Sequence, residues 1–129
     1  MLTKHKGFTV LELLFVMAIM IPALLGIIGV NLFAIRAGES ARQITKAIQD
    51  ANTTIERIRD TSKQSLAQVT STYPNGQTVS GFSNLTSEQV VVTYANTSAD
   101  PLAVTVTVTW SDRGRTMSRA LTTQVTKRQ

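Results

Sequence analysis

One carboxylate stands out by its setting. Glu12 closes the stretch Lys4-His5-Lys6-Gly7-Phe8-Thr9-Val10-Leu11-Glu12, and from Leu13 to Val30 no charged or polar side chain follows. Placing such a charge at the centre of a bilayer costs ~2.5–3.5 kcal/mol, so a carboxylate in this position is a functional candidate by default. The chemistry open to it is ion pairing. A lone carboxyl in apolar surroundings takes up a proton, whereas a nearby cation keeps it charged. Phe8 and Glu12 are four apart and share one face of a helix. The competing reading is an interfacial carboxylate at the membrane edge.

A second group is basic. Arg113, Arg115, Arg119, Lys127 and Arg128 cluster near the C-terminal end, with Asp112 as the acid among them. Such a group can contact a polyanion, either DNA or anionic lipid headgroups. It can equally be the solvated rim of a hairpin and its tail. Trp110 and Tyr94, the aromatics available for stacking on bases, read as core residues instead.

Hydrolytic and metal chemistry lack their residues. His5 is the single histidine and there is no cysteine, so the usual zinc sites and nucleophile–base pairs have nothing to build on. Glu88 and Asp112 read as isolated, solvated loop acids. No glycine-rich phosphate loop is present. Asn52, Asn84 and Asn96 fit Asn-x-Ser/Thr, a motif frequent by chance. The expectation is a protein that is not an enzyme and takes no cofactor. A net charge of +5 compels no nucleic-acid partner.

The elements that must position these residues follow from periodicity. Leu13–Val30 meets the length of a membrane-spanning helix, ~20 residues for a ~30 Å hydrocarbon core. A cleaved secretory signal is the rival, but its apolar region runs ~7–15 residues and ends in a small-residue site that Ala34-Ile35-Arg36-Ala37-Gly38 matches poorly. Pro22, Gly26 and Gly29 predict a kink or an extensible segment. Beyond the apolar run, Ala37, Ala41, Ile44, Ile48, Ala51, Ile55 and Ile58 form a seven-residue seam, with Glu39, Arg42, Lys46, Asp50, Glu56, Arg57 and Asp60 mostly solvated between them. No Gly or Pro falls between Ser40 and Tyr73, so one helix is expected from about Phe8 to about Val69. The seam can line a dimeric coiled coil, but its alanines favour packing on a sheet.

Pro74-Asn75-Gly76 and Ser80-Gly81 place a loop over about 70–89. Strands follow at Val90–Tyr94, at Leu102–Trp110 with Val104, Val106, Val108 and Trp110 on one face, and at Thr116–Thr126 with Met117, Leu121 and Val125 inward. Ser111–Arg115 forms the hairpin between the last two. The expected fold is α+β, a long N-terminal helix packed by its distal half on a small antiparallel sheet.

The start Lys6-Gly7-Phe8-Thr9-Val10-Leu11-Glu12-Leu13 resembles the processing site of type IV prepilins and of the pseudopilins of type II secretion. A short basic leader, Gly before Phe, a carboxylate at the fifth mature position and an uninterrupted apolar run coincide. The resemblance covers the whole chain, closely to Arg36 and by architecture beyond it. It implies the pilin fold, with residues 1–7 as leader, 8–35 as membrane and filament-core helix, and 36–129 as head, made of an amphipathic helix over about 36–69, a loop over 70–89 and a sheet over about 90–126. It further implies that a prepilin peptidase cuts between Gly7 and Phe8 and methylates the new amine on Phe8. Removing Lys4 and Lys6 would leave 11 basic and 8 acidic side chains, a net charge of +3.

The resemblance implies a subunit that waits in bacterial inner-membrane lipid, leader cytoplasmic and head periplasmic, and then joins other pilin or pseudopilin subunits in a filament, Glu12 meeting the Phe8 amine of a neighbour. Orientation rests on the resemblance, because Lys4 and Lys6 on one side face Arg36, Arg42 and Lys46 on the other. Major pilins carry a proline late in the apolar run, where this chain has Gly29; its proline comes earlier, at Pro22. Val10-Leu11-Glu12-Leu13 and Leu24-Leu25-Gly26 look closer to minor pilins of the pilus-modification type and to minor pseudopilins. The disulfide-bounded loop of many pilins is missing. The function expected is a minor pilin-like subunit of a type IV pilus that assembles or primes the fibre. The alternatives are a minor pseudopilin of type II secretion, a DNA-binding subunit for uptake that uses Arg113, Arg115 and Arg119, and a plain single-span membrane protein.

Overall fold

The computed structural model describes residues 9–126, so Gly7 and Phe8, with the expected cleavage and methylation, lie outside the described residues, as do Lys127 and Arg128. Six elements follow in order: α1 (Val10–Ser62), α2 (Leu66–Thr72), β1 (Thr78–Val79), β2 (Gln89–Tyr94), β3 (Leu102–Asp112) and β4 (Arg115–Val125). The chain divides into two compact units, Met1–Glu39 and Ser40–Gln129.

In the first unit every described residue is exposed. The helix is assigned without interruption through Pro22, Gly26 and Gly29. An apolar helix with nothing packed on it is unstable against water and suits a lipid or protein surround. By length and composition it can cross a membrane.

The second unit is a helix-on-sheet layer. The sheet is antiparallel throughout, in the order β1-β2-β3-β4. Strict alternation along β3 buries Leu102, Val104, Val106, Val108 and Trp110 and turns Thr105, Thr107 and Thr109 away. Register pairs Val106 with Val92 on one side and Leu121 on the other, so valine rows align across strands. β-branched side chains fit this pleated surface well. The helical layer supplies Ala47, Ala51, Ile55 and Ile58, and α2 adds Val69. Met117 and Leu121 pack on this core and Val125 is buried in it, as their spacing predicts.

The seam holds at Ala51, Ile55 and Ile58 and needs correction at its start and at Ile48. Ala37 and Ala41 are exposed, and Ile48 is 38% exposed, while Ala47 and Thr54 are fully buried. A strict seven-residue repeat drifts by ~20° per heptad around a straight helix of 3.6 residues per turn. The sheet contacts the stripe at 3.6, which passes through Ile44, Ala47, Ala51, Thr54, Ile58 and Ser62. Small alanines there let the helix lie close to the valine face.

The single helix expected to Val69 is two helices. Lys63 N–H and Gln64 N–H turn back to carbonyls three residues earlier, Asp60 and Thr61, which tightens the last turn. Thr61 and Ser62 hydroxyls also donate to helix carbonyls, at Arg57 and Arg59. Ser65 then takes an extended conformation and its Oγ accepts from Gln68 N–H at 3.0 Å, capping α2. Helix breaking here needs no Gly or Pro, because serine and threonine side chains compete for backbone groups.

The span read as loop over 70–89 holds the end of α2 and the short β1, which pairs with Val90 and Val91 of β2. Gly76, at φ +74, lets the Pro74–Gln77 turn close, and Gly76 N–H donates to Val92 O at 2.9 Å.

Candidate functional site

Glu12 lies in the first turn of α1 and is exposed. Its environment explains why the helix begins there. Thr9 precedes the helix, and Glu12 N–H reaches both Thr9 O, at 3.1 Å, and Thr9 Oγ1, at 3.3 Å. Leu13 N–H also donates to Thr9 O, at 3.2 Å. Thr9-Val10-Leu11-Glu12 therefore has the spacing of a capping box, a threonine cap with glutamate three residues on. A carboxylate in a first turn also meets the positive end of the helix dipole. Beside Glu12, Leu11, Leu14, Phe15 and Ala18 line an apolar hollow on the helix surface. Glu12 is thus a single carboxyl on an otherwise apolar stretch of α1.

Among the described residues, Arg113, Arg115 and Arg119 do not converge. Arg113 and Gly114 form a two-residue turn, both at positive φ (+50 and +77), which matches the twist of the flanking strands. Arg115 opens β4 opposite Asp112. Arg119 stands four residues further along, ~13–14 Å at strand rise, and its guanidinium donates to the neighbouring Ser118 O at 2.9 Å. All three are exposed. They mark one edge of the sheet rather than a pocket.

Three polar sets in the head were not legible as sites. Trp110 Nε1–H donates to Gln43 Oε1 at 3.0 Å and Gln43 Nε2–H donates to Asp112 Oδ1 at 3.3 Å, so Asp112 is tied to α1 and not a free loop acid. Tyr94 OH donates to Tyr73 O at 2.8 Å, and burial, then Tyr73 nearby, pushes its phenol up to about 12. Both aromatics are core residues, as expected, and each polar tip finds a partner.

The third set is acidic. Asp50, expected to be solvated, is 7% exposed, and Asn84 Nδ2–H donates to both of its oxygens at 2.9 and 3.1 Å. Glu88, read as an isolated loop acid, is half-buried beside it. Its Oε2 accepts from the backbone N–H of Asn84 at 2.8 Å and of Leu85 at 3.1 Å. Its Oε1 is buried with no hydrogen-bond partner. Desolvation, the first cause, together with the Asp50 carboxylate raises the Glu88 carboxyl above its ordinary range, against the two backbone donors. Asp50 and Asn84 are thirty-four residues apart in the chain, and only the helix-to-loop contact brings Asp50 to Glu88.

A cleft of about 480 Å³ between the end of α1 and the end of β4 is lined by opposite charges, of which Lys63 and Asp60 already pair at 2.7 Å. Among the described residues no His, Cys, Asp and Glu group could hold a metal. Comparison of the chain with protein-family models, with curated proteins and with solved structures finds no match.

Proposed function

We propose that this chain is a minor pilin-like structural subunit of a type IV pilus, processed by a prepilin peptidase and acting in assembly or priming of the fibre. The observation that carries the reading is the single carboxylate, Glu12, at the head of an exposed apolar helix and directly behind Lys6-Gly7-Phe8. An apolar helix with no partner in its own chain needs one elsewhere, first lipid and then the helices of other subunits. In that surround a cation beside Glu12 offsets the cost of its charge, and the methylated amine of Phe8 on a neighbour is that cation. The helix-on-sheet head is compatible with the pilin fold. A minor pseudopilin of type II secretion shares every one of these features and is the alternative within the same reading.

The deciding test is the N-terminal mass of the protein from its native host. A chain that begins at N-methylated Phe8 is the expected result. An intact Met1, or cleavage beyond Val30, returns the chain to an ordinary membrane or secreted protein. Arg113, Arg115 and Arg119 lie along an edge without convergence, which gives the DNA-uptake reading no geometric support of its own.

A further inference from the structure

The Asp50–Asn84–Glu88 contact points to a conformational device in the head. We propose that Glu88 and Asp50 share one proton and that this proton latches the Ser80–Glu88 loop onto α1, so that the loop loosens as pH rises. The argument starts from the orphan. A buried carboxylate oxygen without a donor is destabilising, the more so when charged. No donor other than a proton of its own is in reach of Glu88 Oε1 among the described residues. Carried there, the proton can be donated toward Asp50, the carboxylate that Asn84 holds beside Glu88 and that acts on it. Asn84 organises both partners, holding Asp50 with its side chain and Glu88 Oε2 with its backbone N–H. The pair is thus oriented from both sides, with one oxygen left for the proton.

The surrounding charges do not substitute for that proton. From α1, Asp50 is the charged group that acts on Glu88. From the loop itself come only the peptide N–H groups of Asn84 and Leu85. β3, joined to the loop by Ser111 N–H to Thr86 O at 2.9 Å, carries Asp112, which Gln43 holds, and its turn carries the exposed Arg113; neither acts on Glu88. Arg57 of α1 lies over the Phe82 ring of the same loop, 5.0 Å from its centroid, but is not among the groups that act on Glu88. Ionising Glu88 therefore puts two negative charges against each other in a partly desolvated site.

The sign follows from linkage. In the open loop Glu88 has its ordinary carboxylate affinity for a proton, and in the closed loop a higher one. The latch is fully closed below the ordinary carboxylate range. It weakens as pH climbs toward the raised value and is constant above it. Opening would free Phe82 and Leu85, which pack on the edge of the core.

The experiment is amide hydrogen exchange on the full chain in detergent micelles, read over Gly81–Ser87 at pH 4, 5, 6 and 7 and corrected for intrinsic exchange. The wild type is expected to lose protection by up to about tenfold per pH unit across the titration, and Glu88→Gln to hold the same protection at every pH. Glutamine keeps the acceptor for Asn84 and Leu85 and offers Asp50 a permanent N–H. Carbon-13 titration of the Glu88 carboxyl gives an independent reading, with an inflection above the ordinary range expected. Protection that does not vary with pH in the wild type, or an ordinary Glu88 inflection, overturns the latch. A Glu88→Gln variant as pH-sensitive as the wild type overturns it too.

Discussion

At the scale of single residues, Glu12 serves two physical purposes that one substitution can separate. Its N–H is held by Thr9, and its position makes it the third residue of a capping box. Its charge meets the dipole of its own helix and, in the proposed function, a cation on a neighbouring subunit. Glu12→Gln keeps the capping geometry and removes the charge. The expected outcome is an intact, processed subunit that stays in the membrane and fails to enter filaments, read by fractionating sheared filaments from cells. Incorporation at the wild-type level would leave Glu12 as a helix cap and nothing more. Asn84 is the other decisive side chain. Asn84→Ala strips the donor from the buried Asp50, and a loss of about 1–3 kcal/mol is expected by urea unfolding. In the sequence, Glu12 was legible because its surroundings are uniformly apolar. Asp50 and Glu88 were not, since each looks like an ordinary surface acid until the helix and the loop are brought together.

At the scale of elements, alternation proved a better guide than seven-residue repetition. β3 has its valines at every second position, and one face is all that a strand can bury. The helix gave a looser signal, because steps of three and four fit both 3.5 and 3.6 residues per turn. The difference is felt at Ile48, which is turned outward, and at Ala47, which lies on the sheet. Ala51→Leu forces an added isobutyl group against the valine rows. A destabilisation of about 1–3 kcal/mol is expected, while the same change at Ala37, exposed, leaves stability nearly unaltered. The end of α1 was hidden for another reason: the stop is made by serine and threonine hydroxyls and by i→i−3 bonds, which periodicity does not register. Ser65→Ala removes the cap of α2 and should cost about 0.5–2 kcal/mol in thermal or urea unfolding.

At the scale of the molecule, every buried residue among those described belongs to the unit that begins at Ser40. The sheet of that unit has two edges, and they are treated differently. β1 is only two residues long and offers little to a foreign strand. β4 has eleven residues and no neighbour beyond it. Asp112 and Arg115 close its two-residue hairpin, and antiparallel pairs alternate, so the even-numbered residues of β4 aim their N–H and C=O groups outward. Ser118 is one of these, and its carbonyl is the one that the Arg119 guanidinium occupies. A charged side chain folded onto an open edge is a recognised guard against edge-to-edge pairing. This gives Arg119 an edge-guarding contact within its own strand. Arg119→Thr, which removes both the charge and the carbonyl contact and raises strand propensity, is expected to make the protein in micelles associate with rising concentration in sedimentation velocity. Arg119→Lys, which keeps the charge, is expected to behave as the wild type. Equal sedimentation of all three would mean that the edge is protected by something other than its arginine, and would leave the basic cluster as a solvated rim or an external contact.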